Sequence, residues 1–334
     1  MKAKELSLKE KIGQMVMIGM DTNYITDRIK NMIINYKIGG VILYRKNFST
    51  YSEMLKLIRE LKELNKNNQI PLFIAIDQEG GRVNRMPKEL KNLPSANVIA
   101  NVGGEKLVKE ASEITGELLY KSGFNLNFAP VLDLRRYEKQ KVIGDRSFGY
   151  DKEKVSECGI AVMKALQKNN IVSVVKHFPG HGDTEEDSHY GEAKSWKTLD
   201  ELRTCELRPF QAGIEAGASM IMVGHITLPN VTEEIPATLS HDIVTGILRE
   251  EMKYNGIIIT DSMAMNAIAN WYSSDEAAVK AIQAGCDMIL MPYQLESAVN
   301  GIETAVNSGD ITEERIEESV LRILKAKLEA GIIE

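Results

Sequence analysis

Three of the five histidines in this 334-residue chain fall within fourteen residues, Lys176-His177-Phe178-Pro179-Gly180-His181-Gly182-Asp183-Thr184-Glu185-Glu186-Asp187-Ser188-His189. That density admits a metal site, with His177, His181, Asp183, Asp187 and His189 as possible ligands. Pro179-Gly180 breaks the helix on which ligands four residues apart are normally presented, which weighs against metal. Asp187-Ser188-His189 offers a different chemistry. Residues two apart in a turn can hydrogen-bond, so the carboxylate can orient the imidazole and stabilise its protonated form. Such a pair works as a general acid/base near neutral pH. Much later in the chain, Asp261 follows the apolar run Ile257-Ile258-Ile259-Thr260. A carboxylate at the mouth of a buried strand can attack an anomeric carbon, bind a metal or accept from a sugar hydroxyl.

The elements that must position these groups are legible as short apolar or β-branched runs. They lie at Met15–Met20, Gly39–Tyr44, Leu72–Ile76, Asn125–Phe128, Ile171–Val175, Ser219–Val223, Gly256–Thr260 and Met288–Met291. Most are continuously apolar, as parallel strands covered on both faces are. Helical patterns separate them. In Gly104–Ser122 the residues Leu107, Val108, Ala111, Ile114, Leu118 and Leu119 are expected on one face, and in Ile311–Leu328 so are Ile316, Val320, Ile323, Leu324 and Leu328. Eight strands alternating with helices predict an α/β fold, a single (β/α)8 barrel of the TIM type over Met1–Glu334. An open doubly wound sheet is the competitor, but its Gly-rich phosphate turn after the first strand is missing. Barrel chemistry sits at the carboxyl ends of strands. Those positions hold Asp77, Asn127, Asp133, Lys176, His177, His225 and Asp261.

The bulk numbers narrow the partners. The formal net charge is -6, which provides no basic footprint for nucleic acid or an anionic membrane. No stretch reaches the roughly 18–20 continuous apolar residues of a membrane span. Charges continue through Lys11, so the first residues do not read as a secretory leader. Cys158, Cys205 and Cys286 are odd in number, far apart and without metal spacing. Free thiols in a reducing compartment, hence a cytoplasmic location, are the expectation.

Taken together these residues resemble the β-N-acetylglucosaminidase branch of glycoside hydrolase family 3. The likeness runs from about Lys9 to Leu328. It rests on Asp77-Gln78-Glu79-Gly80-Gly81-Arg82, Phe128-Ala129-Pro130-Val131-Leu132-Asp133, Ile143-Gly144-Asp145-Arg146-Ser147-Phe148, the Lys176–His189 segment and Thr260-Asp261-Ser262. The resemblance implies Asp261 as nucleophile and His189, assisted by Asp187, as acid/base. It implies that Asp77, Arg85, Arg146, Lys176 and His177 hold the sugar in the −1 subsite, without metal or cofactor. Two-step retention through a glycosyl-enzyme is implied as well, with phosphorolysis as a variant, because a His–Asp pair repels an incoming phosphate less than a lone carboxylate does. The substrate class implied is a GlcNAc-containing carbohydrate, with peptidoglycan recycling as the expected setting. Many members carry a second α/β domain after the barrel; here the chain is expected to be the barrel alone, with its acid/base on its own loop. Two rival functions are a non-catalytic sugar-binding barrel and a metal-dependent hydrolase.

Overall fold

The structure, a computed structural model, describes residues 3–136, 142–184, 191 and 193–333. Eight strands form its centre: β1 Val16–Gly19, β2 Gly40–Leu43, β3 Phe73–Ile76, β4 Leu126–Asn127, β5 Val172–Phe178, β6 Met220–Val223, β7 Ile257–Ser262 and β8 Met288–Leu290. Each is parallel to the next, and β8 returns to β1 through Val16↔Ile289 and Met17↔Leu290, so the sheet closes into a barrel in chain order. All residues of β2, β3, β6 and β8 are buried. Continuous burial is what the unbroken apolar runs require, because side chains of one strand fill the lumen and meet the outer helices alternately. The open sheet is therefore excluded.

Two of the eight ladders are irregular, and the irregularities matter. Between β5 and β6, Val175 pairs with Ile221 and Phe178 with Val223, so Met222 faces both Lys176 and His177. Between β7 and β8, Met288 pairs with Ile259 and Leu290 with Ser262, so Ile289 faces both Thr260 and Asp261. An extra residue on one strand bends it and re-aims its side chains. Beyond the barrel mouth, Ala193–Lys194 and Ile226–Thr227 form a short parallel pair that the sequence pattern does not announce.

The helices are set by capping signals. Ser7 with Glu10, Thr50 with Glu53 and Thr198 with Glu201 close reciprocal boxes at three helix starts. The helix Ala96–Ser122 starts earlier than its periodic pattern and is interrupted at Gly104, whose φ of 59° and ψ of -156° favour glycine. Its buried face includes Val108, Ala111, Ser112, Gly116 and Leu119, whereas Ile114 is 61% exposed. The small residues Ser112 and Gly116 share the packed side, and Asn169 sits so close to Gly116 that a Cβ there would lie 2.9 Å from its Nδ2. The helix is thereby rotated away from the purely apolar stripe. Leu328, likewise expected inside, is 55% exposed near the end of the last helix, Glu313–Glu329. Among the described residues no helix is long and apolar enough to cross a membrane.

Candidate active site

The polar groups at the carboxyl ends of the strands meet in one charged network. Asp77, directly after β3, accepts from Lys176 Nζ at 2.5 Å and lies 3.5 Å from Arg85. Lys176 Nζ also lies 2.6 Å from Glu79 Oε1. Arg146 donates to both oxygens of Glu79, at 2.8 and 2.7 Å, the bidentate geometry a guanidinium favours. Burial pushes the Glu79 carboxyl up, but Arg146 and Lys176 outweigh it and hold the group well below the usual carboxylate range. Burial also opposes the charge of Arg146, and the neighbouring Glu79 reverses that and raises it. Exposure grades outward: the Lys176 and Glu79 side chains are 3% and 6% exposed, Asp77 19% and Arg85 29%. Glu79 thus forms the floor, while Asp77 and Arg85 face the mouth. Arg85 Nε is buried with no hydrogen-bond partner among the described residues, which leaves a donor for a bound oxygen.

A second layer orients the histidines. Asp133 is buried after β4; its Oδ2 lies 2.6 Å from His177 Nδ1, and its Oδ1 accepts from the His181 backbone N–H at 2.6 Å. Burial raises the Asp133 carboxyl, and the two histidines together bring it below its ordinary value. The other side of His177, Nε2, lies 3.5 Å from Arg146, at the edge of hydrogen-bond reach. His181 is buried with Nδ1 2.6 Å from Thr184 Oγ1, and burial pushes it down to about 4. His181 is therefore neutral at physiological pH. Asn127 grips Gln78 at both backbone groups, at 2.9 Å each, and Gln78 Oε1 accepts from the Arg85 backbone N–H at 2.8 Å. The loop after β3 is thus fixed from β4.

Asp261 stands on the irregular stretch of β7, and its Oδ1 accepts from the Ser262 N–H at 2.7 Å. Its charge and that of Asp77 both reach Tyr44, whose half-buried phenol is pushed up chiefly by desolvation. The hydroxyl of Tyr44 lies 3.0 Å from Met291 Sδ, and Arg85 sits 6.0 Å from its ring. Tyr44 therefore joins the loops after β2 and β8 beside the two carboxylates.

Of the residues singled out in the sequence, Asp77, Arg85, Arg146, Lys176 and His177 come together here, and Asp261 lies close enough for its charge to act on the Tyr44 beside them. Asp187 and His189 lie outside the described residues. Glu79 was not assigned a place in the site, yet it anchors it, and Asp133, noted only as a strand-end residue, orients the histidines from behind. Charge counting could have found Glu79, since two cations as buried as Lys176 and Arg146 need carboxylate partners. Among the described residues no group of three or more His, Cys, Asp or Glu is placed to hold a metal ion.

Residues 7–326 match the glycosyl hydrolase family 3 N-terminal domain. β-Hexosaminidase A of Pseudoalteromonas piscicida is 32% identical over 326 residues, which cover 90% of this chain and 54% of that protein. A β-hexosaminidase of Neisseria meningitidis serogroup B is 32% identical over 283 residues, 83% of this chain and 77% of the relative. The solved family 3 β-N-acetylglucosaminidase of Paenibacillus sp. str. FPU-7 superposes with a TM-score of 0.95 at 38% identity, covering 98% of this chain and 63% of that one. The chain thus spans about half to three quarters of these relatives. It belongs to glycosyl hydrolase family 3, whose N-terminal domain it matches along nearly its whole described length.

Proposed function

We propose that this protein is a retaining β-N-acetylglucosaminidase that releases terminal β-linked GlcNAc from peptidoglycan-derived or related oligosaccharides. The observation that carries the reading is the Asp77–Lys176–Glu79–Arg146 network, with Arg85 and His177 beside it, on the same barrel rim as Asp261. A hexose presents a ring of hydroxyls, each both donor and acceptor. Asp77 accepts from hydroxyls, and Arg85, Arg146, Lys176 and His177 supply charged or polar donors. An Asp261 oxygen attacks the anomeric carbon, the glycosidic C–O bond breaks, and the His189 imidazolium gives its proton to the leaving oxygen. His189 then takes a proton from water as that water attacks the anomeric carbon, breaks its bond to the Asp261 oxygen and frees the carboxylate. Asp187 orients the imidazole throughout. Asp261 is followed by Ser262-Met263-Ala264, with no adjacent carboxylate to polarise a substrate acetamide. Direct attack by Asp261 follows, with the acetamide serving recognition. The described cysteines are all unpaired, which fits a reducing compartment and hence a cytoplasmic role in wall recycling.

The test compares p-nitrophenyl β-GlcNAc with p-nitrophenyl β-glucose, with and without phosphate. Hydrolysis of the first in strong preference, with free GlcNAc as product, supports the proposal. GlcNAc 1-phosphate as the main product in phosphate buffer replaces water by phosphate as acceptor, on the same residues. Tight thiazoline inhibition without a mass shift on the Asp261 peptide after treatment with a 2-fluoro glycoside overturns direct attack.

A further inference from the structure

We infer that His225 is a positioning residue for Asp261, holding the peptide segment whose N–H grips the attacking carboxylate. The inference rests on the reading of Asp261 as nucleophile. His225 is a polar strand-end residue that the sugar-holding network leaves unused. It lies two residues beyond β6 and is 1% exposed. Its Nε2 is 2.9 Å from the Ser262 carbonyl oxygen. A carbonyl oxygen can only accept, so Nε2 carries a proton and donates. On the other side of the ring, Nδ1 is 2.8 Å from Thr238 Oγ1, which lies 3.0 Å from the Gly224 carbonyl oxygen. The imidazole is therefore held at both nitrogens and cannot turn.

The irregular ladder explains why Ser262 benefits from this support. Where Ile289 faces two residues of β7, the backbone pairing is carried partly by a side chain, since the Leu290 N–H donates to Thr260 Oγ1 at 3.0 Å. The strand is less tightly determined there than in a regular ladder. On the β8 side Met263 N–H donates to the Leu290 carbonyl. On the β6 side His225 takes the Ser262 carbonyl. Ser262 is thus fixed between two neighbouring strands, and its N–H at 2.7 Å sets the rotation of Asp261. A nucleophile displaced by a fraction of an ångström loses its line of attack while the sugar contacts survive.

Glutamine and asparagine separate positioning from bulk structure. The glutamine amide nitrogen overlays Nε2 of histidine, and the asparagine nitrogen overlays Nδ1. His225→Gln keeps a donor for Ser262, whereas His225→Asn keeps only the contact to Thr238. The measurements are kcat and KM on p-nitrophenyl β-GlcNAc, Tm, and the rate at which an activated 2-fluoro glycoside labels the Asp261 peptide. The expected result is a fall of at least about tenfold in kcat and labelling rate for His225→Asn, with KM nearly unchanged, and retention within about threefold for His225→Gln at similar Tm. Equal labelling rates for the two variants overturn the inference, as do losses that track Tm in both. Should His225→Asn fail to fold, Thr238→Val carries the comparison: it frees the ring at Nδ1 and is expected to lower labelling without raising KM, and an unchanged rate overturns the inference. Unmodified protein that takes no label at Asp261 removes the nucleophile reading itself, and the inference with it.

Discussion

Removing the carboxylate of Asp261 takes away the atom proposed to attack the anomeric carbon, while the charged network proposed to hold the sugar stays in place. Asp261→Gly is expected to lose on the order of 5 kcal/mol or more of barrier stabilisation, several thousandfold in kcat, with azide partly restoring turnover of an activated glycoside. A variant that keeps more than about a tenth of kcat contradicts the assignment. The proposed acid/base pair is separable by leaving group. His189→Ala is expected to harm substrates with poor leaving groups most, because an activated nitrophenolate departs without a proton. Asp187→Ala should change kinetics in the same sense but less, since an imidazole without its carboxylate still titrates near neutrality. The measurement is the slope of log kcat/KM against leaving-group pKa, and a slope unchanged in His189→Ala removes this residue from the role.

At the scale of elements, Glu79 ties the loop after β3 to β5 and to the short turn Gly144–Arg146. Replacing it by glutamine leaves Arg146 and Lys176 buried against a neutral amide. Breaking a buried ion pair on one side costs about 3–5 kcal/mol, so Glu79→Gln is expected to lower the denaturant midpoint accordingly and to raise KM. The pH dependence adds a signature. Glu79 is held below its ordinary value of 4.5, so its contribution is fully present above that value and is lost as pH falls from there towards the folded-state value. Tm of the parent should drop more steeply than that of Glu79→Gln on acidification below about pH 4.5. Parallel Tm curves exclude Glu79 as the source of that slope.

For the molecule as a whole, the last helix is tied to the segments that lead into the first three strands. Lys327 on that helix is fully buried and donates to Gln14 Oε1, the Gly39 carbonyl and the Pro71 carbonyl at 3.0, 3.1 and 2.8 Å. Its ammonium also lies 4.6 Å from the Phe73 ring centroid. The lead-ins to β1, β2 and β3 and the last helix are thereby joined at one nitrogen. Burial pushes Lys327 down to about 7, below its ordinary 10.5. Between those values the unfolded chain binds more protons than the folded one, so this group makes stability rise with pH across that window. Lys327→Met should lose that rise: Tm measured from about pH 7 to about pH 10 is expected to improve in the parent relative to the variant. No difference in slope means that the three acceptors, which together require all three ammonium protons, keep Lys327 charged throughout.

Local patterns by themselves determined the eight strands and their order, because parallel strands buried on both faces must be apolar throughout and closure leaves little choice of neighbour. They also showed at which strand ends polar groups gather, since Asp77, Lys176, His177 and Asp261 interrupt apolar runs where a barrel opens. Other features depended on contacts between distant parts of the chain. The extra residues opposite Met222 and Ile289 are properties of two strands compared, not of either one alone, and they aim Lys176, His177 and Asp261. Ile114 turned outward because Ser112 and Gly116 admit a neighbouring helix more closely, which hydrophobic periodicity does not weigh. Glu79 and Asp133 became anchors only once Arg146, Lys176 and His177 had been brought against them. Pairing of buried charges is decided by distances across the barrel, and those distances exist only when the chain is closed.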